Sequence, residues 1–243
     1  MEKRLLVILL LFSLVLGHTN AQNTHFWDGI EAFDGPTDTN PILASQNDFY
    51  FDKMVAPIPD TIYLEINRLV ERTSNNTDLR DFILWHLLHR FHQPEYMSQD
   101  QVFVYLSDQY FSRLEIRDLN ETNRALIQDK AERLRRLALF NVAPEIKIND
   151  SIDLQAFDNN YTVLFFYDHD CGLCYQEMHD LDSVHALFSE ISVLAIDMNS
   201  DDKKVLSLYE TYDIETTPLI YVLDRDKRII AKKIRARQIP MVL

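Results

Sequence analysis

Residues 161–167 read YTVLFFY, an unbroken β-branched and aromatic run. Side chains of an extended chain alternate between two faces, so a run with no polar alternation needs an apolar layer on each side. That requirement predicts a strand buried on both faces. Just beyond it, in DHDCGLC, stand Cys171 and Cys174, the only two cysteines among 243 residues. The residues that follow recur at helical spacing (Cys174, Met178, Leu181, His185, Phe188), which places the pair at a strand–helix junction.

The rest of this half follows the same logic. ISVLAIDM (191–198) is a second buried strand, and SDDKKVLSLYETY reads as a helix capped by Ser200. LIYVL, DRDK and RIIAKKI read as strand, turn and strand. The order is strand, helix, strand, helix, strand, strand. A crossover helix makes the first two strands parallel, and a short turn makes the last two antiparallel.

Upstream the period changes to 3.6. DTIYLEINRLVERT carries Ile62, Ile66, Leu69 and Val70 on one face, and TDLRDFILWHLLHRFH is apolar almost all round, as a central helix is. SQDQVFVYLSDQYFSRL makes a third helix. A fourth runs through DLNETNRALIQDKAERLRRLALF, with Asp118 and Glu121 spaced as a capping box and Leu126, Lys130, Leu134 and Ala138 on one stripe. Residues 22–60, with four prolines, read as an irregular lead-in. His86, His89 and His92 share the second helix, but no carboxylate lies at a matching turn, so scattered surface histidines are the simpler reading.

The first 21 residues have the order of a secretory signal: Lys3 and Arg4, a short apolar run from Leu5 to Leu16, and small residues up to Ala21. The run is too short to span a bilayer. The expected mature start is near Gln22, in the periplasm or cell envelope, with no stable membrane span after signal removal. Removal of Glu2, Lys3 and Arg4 leaves 22 basic against 37 acidic side chains, which excludes nucleic acid and anionic membrane surfaces as partners. With four glycines in the chain there is no glycine-rich phosphate loop, and no cofactor is expected.

In an oxidising compartment two cysteines three apart can be a redox pair, half a metal site or a structural staple. A staple closing about four residues removes on the order of 2 kcal/mol of unfolded-state entropy, little for a chain that can build its own core. A soft-metal site would need His169, Cys171, Cys174 and His179 to converge, and His179 lies well round the helix from Cys174.

A C-x-x-C at the first helix, followed by TTP (216–218) ahead of a terminal hairpin, resembles the thioredoxin fold. The lead-in NVAPEIKINDSIDLQAF resembles the TlpA and ResA branch of envelope thiol–disulfide oxidoreductases. HFWDGIEAFD and HRFHQPEYMSQDQVFVYLSDQY resemble a helical region found ahead of such domains in envelope proteins. The resemblance implies a signal peptide (1–21), a lead-in with a small all-α domain (22–141), and an α/β thioredoxin-like domain with a central mixed sheet and flanking helices (142–243). It implies Cys171 as attacking and Cys174 as resolving thiol, Pro218 as a cis-proline facing them, and Thr217 as the residue whose backbone meets a peptide. The implied partners are protein thiols and disulfides and an electron-donor protein; no metal is implied.

Three departures stand out. Asp170 occupies the usual place of a tryptophan, with Asp168 close by, so local negative charge opposes thiolate formation while a protonated His169 favours it. Phe165 stands where thioredoxins carry a buried carboxylate. The chain ends soon after the last strand, so the helical domain is expected to cover the sheet face left open. The competing reading is a binding or scaffold module built on a degenerate thioredoxin fold; a soft-metal carrier is the third.

Overall fold

The computed structural model describes residues 26–29, 40–149 and 152–243. The expected signal peptide and the start near Gln22 lie outside the described residues. Among the described residues no helix is long and apolar enough to cross a membrane.

The helical half comprises α1 (Asn40–Lys53), α2 (Pro59–Arg72), α3 (Thr77–Arg90), α4 (Asp100–Leu106), which runs on as a π turn (Ser107–Phe111), and α5 (Glu121–Arg136). α1 corrects the sequence reading, which placed it inside an irregular lead-in. Pro41 is the second residue of this helix, near the N-terminal position where a missing N–H costs nothing, so it marks a helix start. Leu43, Asn47, Tyr50 and Phe51 then form the buried stripe. Two further details differ. The cap of α5 is Asn120, whose side chain accepts the Asn123 N–H at 2.8 Å. Asp118 cannot cap because it sits in the left-handed region at φ 63°, whereas a cap needs extended backbone. On α5 the buried positions are Ile127, Lys130, Ala131 and Leu134, while Leu126 is exposed.

The sheet half begins with a small hairpin, β1 (Lys147–Asn149) and β2 (Ile152–Asp153), then β3 (Tyr161–Tyr167), α6 (Gly172–Leu187), β4 (Ile191–Asp197), α7 (Lys203–Thr211), β5 (Leu219–Leu223) and β6 (Ile229–Lys232). A final 3-10 helix spans Ala236–Met241. The sheet order is β4-β3-β5-β6, with β3 central. β3 pairs parallel with β4, and β5 and β6 form an antiparallel hairpin, both as the connections predict; β3 also pairs antiparallel with β5. Asp202, rather than Ser200, caps α7: its side chain accepts the Lys204 N–H at 2.8 Å, and Ser200 instead accepts the Asp202 N–H.

Alternation along β3 divides the core in two. Leu164 and Phe166 pack against α7 and the β1–β2 hairpin through Leu208, Tyr212, Ile146 and Leu154. Val163 and Phe165 pack against α6 through Leu181 and Val184, and against the C-terminal helix through Ala236 and Ile239. That second face was expected to lie under the helical half. Instead the short C-terminus covers it, with Met97 the only helical-half residue in the cluster among the described residues. Ala236 and Ile239 are fully buried there, with Val242 and Leu243 packed beside them, and Arg235 and Arg237 also pair with Glu177 and Asp180 of α6.

The two halves meet elsewhere. Residues 140–143 run beside β6, with Phe140 N–H donating to Ile229 O at 2.8 Å and Ala143 N–H to Lys227 O at 2.8 Å. The buried Lys232 ammonium on β6 donates to Asp100 on α4 and, at 2.6 Å, to Leu137 O.

Candidate active site

β3 delivers the chain to the C-terminal edge of the sheet, and the turn after it is set by Asp168. Its carboxylate accepts the Asp170 N–H at 2.8 Å and its carbonyl the Cys171 N–H at 3.1 Å. Cys171 is the N-cap of α6: its Sγ accepts the Cys174 N–H at 3.2 Å. A sulfur thus does what a serine or aspartate oxygen does at other helix starts, at the end of the helix where donors lie unpaired. Cys171 is half-buried and Cys174 is 2% exposed; both are free thiols.

The two thiols are electrostatically unlike. The Cys171 thiol lies below its ordinary value, chiefly through a hydrogen bond from the Cys174 side chain and also through the Cys174 and Leu173 N–H groups, which together outweigh desolvation and the Asp168 charge. Burial pushes the Cys174 thiol up. An accessible thiol of lowered pKa beside a buried thiol of raised pKa is an asymmetry that thiol–disulfide exchange can use. The neighbouring charges point away. Asp170 is 80% exposed, and His169 turns its Nδ1 to Asp197 at 3.1 Å, whose hydrogen bond raises the imidazole above its ordinary value.

Opposite the cysteines, the chain enters β5 through Thr217–Pro218, a cis peptide bond, and the Thr217 carbonyl lies 3.8 Å from Cys171 Sγ. All four residues singled out in the sequence, Cys171, Cys174, Thr217 and Pro218, thus gather at one edge of the sheet. A Cβ placed on Gly172 would meet nothing within 4 Å, so the space beside the first cysteine is open. Phe165 is fully buried beneath α6, in the cluster that holds Cys174.

The histidines do not join them. His179 is 84% exposed, His86 Nε2 meets Asp48 at 2.9 Å, and His92 Nε2 meets Glu215 at 3.0 Å. Among the described residues no three His, Cys, Asp or Glu side chains are grouped to hold a metal ion.

Sequence reading missed two features of the site. The first is Glu177, one turn past Cys174, which is buried. Its carboxylate accepts the Ala236 N–H at 2.7 Å and pairs with Arg235 at 3.0 Å. The available signal was the matching pattern of two acids three apart on α6 and two arginines flanking Ala236. The second is a groove of about 280 Å³ along the Thr217–Pro218 segment, whose far wall is Gln93 and Pro94 from the α3–α4 loop.

Residues 139–239 match the AhpC/TSA family model. A thioredoxin-like protein from Bacteroides caccae superposes with a TM-score of 0.69 at 15% identity, over 90% of this chain and 89% of that one. The fold is therefore thioredoxin-like, and the helical half that precedes it recurs in a solved structure. A domain of a possible thiol-disulfide isomerase from Cytophaga hutchinsonii shares 30% identity over 43% of this chain and 90% of that one, with a TM-score of 0.38. The thioredoxin domain of a thiol-disulfide oxidoreductase from Bacteroides vulgatus shares 19% identity over 44% and 99% respectively, with a TM-score of 0.39. No curated protein matches the chain.

Proposed function

We propose, from a sheet half that is a thioredoxin-fold thiol–disulfide oxidoreductase domain, that the chain exchanges disulfides with protein substrates in the cell envelope through Cys171 and Cys174. The observation that carries this reading is the asymmetry of the pair: Cys171 caps a helix and is held toward thiolate, while Cys174 is buried and held toward thiol.

In the reducing direction the Cys171 thiolate attacks one sulfur of a substrate disulfide. A Cys171–substrate disulfide forms, the substrate S–S bond breaks, and the second substrate sulfur leaves as thiolate and takes a proton. Cys174 then loses its proton and attacks Cys171 Sγ. The first substrate sulfur leaves as a thiol, and the enzyme holds a Cys171–Cys174 disulfide. Two electrons have passed to the substrate, and an electron-donor protein restores the dithiol. The same steps reversed oxidise a substrate dithiol. Thr217 and Pro218 bind the substrate backbone next to Cys171. The apolar leader at 1–21 supports export, and we take 22–141 and 142–243 as the two domains of the exported chain.

Cys174→Ser tests the mechanism: it removes the resolving thiol and is expected to accumulate mixed disulfides with protein partners, while Cys171→Ser accumulates none. The reverse pattern, or no adducts with either, overturns the reading. The equilibrium of the pair against a glutathione series then assigns the direction, within a range of roughly −270 to −120 mV for this kind of dithiol.

A further inference from the structure

The α3–α4 loop, HQPEY, has no part in the chemistry above, yet it reaches the active site from the other half of the molecule. Gln93 and Pro94 face Thr217, Pro218, Leu173 and Ile234 across the groove. The loop is also fixed in place. The Gln93 side-chain amide donates to Glu215, two residues before Thr217, and His92 meets the same carboxylate at 3.0 Å. Lys130 of α5 donates to Glu215 and, at 3.2 Å, to the buried Asp213. The strand that presents Thr217 and the loop that faces it are therefore tied through one acidic segment, so a wall is ready before anything binds and little ordering is needed.

Gln93 and Pro94 also line a second cavity, of about 390 Å³, bounded on the helical side by Arg90, Tyr96 and Gln99. The loop is thus a ridge between two hollows, one beside the cysteines and one on the helical half. The nearer hollow is small for a compact organic ligand, whose pockets run from roughly 300 to 1,000 Å³, but two hollows in succession suit an extended chain. Charge does not select the occupant: Lys233 is paired with Asp213 at 3.6 Å and Arg235 with Glu177 at 3.0 Å. Exposed apolar surface flanks the approach, with Leu173 at 42% and the half-exposed Tyr96 at 48%.

We propose that residues 93–96 are a substrate-binding element, over which the polypeptide on one side of the substrate cysteine passes, so that the protein acts on extended or unfolded polypeptide disulfides in preference to small ones. The inference rests on the oxidoreductase reading, and the test separates the two.

The probes are two single-cysteine peptides activated with thionitrobenzoate, of about five and about fifteen residues. At about 3.3 Å per residue the longer one spans about three times the length of the shorter and covers more of the two hollows. With the Cys174→Ser protein, the Cys171 thiolate displaces thionitrobenzoate, whose release reads the rate, and the peptide remains as a mixed disulfide. The longer peptide is expected to react about tenfold faster, and the ratio is expected to fall toward one when Gln93→Ala and Pro94→Ala are added. A second readout leaves the loop unaltered: in the Cys174→Ser adduct, amide exchange at Gln93, Glu95 and Tyr96 slows with the long peptide and not with the short one. Release without slowed exchange and without a length dependence overturns the loop assignment and leaves the thiol chemistry standing. Failure to release thionitrobenzoate overturns both.

Discussion

Cys171 and Cys174 are one helical turn apart, and that short step separates two electrostatic environments. The first sulfur sits on unpaired N–H groups at a helix start; the second is inside the apolar layer with Phe165 and Leu181. Asp168 opposes the thiolate but is outweighed, because the donors on Sγ act at contact distance. Iodoacetamide titration is therefore expected to modify Cys171 first, with a midpoint below the value of about 8.5 for a free cysteine. Asp168→Asn keeps the acceptor for the Asp170 N–H and removes the charge, so it is expected to lower the midpoint further. A midpoint that rises in this variant would show that Asp168 acts by shaping the turn rather than by its field. Cys174 is expected to react only after unfolding.

Among the elements, those with continuous apolar runs were legible in the sequence. β3 and β5 each carry a run that two-sided burial explains; β4 carries a similar run but lies at the sheet edge with Ala195 exposed, so there the apolar run overstated the burial. The strand directions followed from the connections. α1 was not legible, because Pro41 carries opposite meanings inside a helix and at its start, and the choice depends on what packs beneath Leu43 and Tyr50. Nor was the cover of the second sheet face legible: the partners of the α6 acids, Arg235 and Arg237, lie some 60 residues on, so nothing local in the sequence joins them. The cysteine site was legible because its spacing is local, whereas its far wall at Gln93 comes from another half of the chain. The C-terminal 3-10 helix gives this difference a measurable form. Ile239 is fully buried against Val163 and Ala231, so Ile239→Ala is expected to cost about 2–5 kcal/mol in urea unfolding. Arg237 is 72% exposed, so Arg237→Ala is expected to cost at most about 1 kcal/mol despite its two bonds to Asp180. Equal losses would mean that charge, not apolar cover, holds the C-terminus down.

At the scale of the whole molecule, the two halves are joined by ionic contacts, of which Lys232–Asp100 and Lys130–Asp213 are buried, and buried contacts are costly to break singly. Burial pushes the Lys232 ammonium below its ordinary value even with Asp100 beside it, so Asp100→Ala, which strands that charge, is expected to cost about 3–5 kcal/mol. Acid attacks the seam at another point. His92 lies below its ordinary value because burial, and then Lys130, disfavour the imidazolium. Glu215 also lies below its ordinary value: burial raises it, but hydrogen bonds from Lys130 and Gln93 prevail. Both groups bind protons more weakly folded than unfolded, so in each window the unfolded chain holds more protons and stability falls as the pH falls. The histidine window opens below about 6.5 and the carboxylate window below about 4.3. Both groups sit where the α3–α4 loop meets the segment before Thr217, so the loss falls on the contact between the halves. Trp27 and Trp85, the only tryptophans, lie in the helical half, so their fluorescence follows that half alone. Amide exchange along β3 and β5 follows the sheet half. At pH 7 the two probes are expected to report one urea transition, and at about pH 4 two, with the helical half separating from the sheet half. Two transitions already at pH 7, or a single one at both values, would mean that His92 and Glu215 do not hold the halves together.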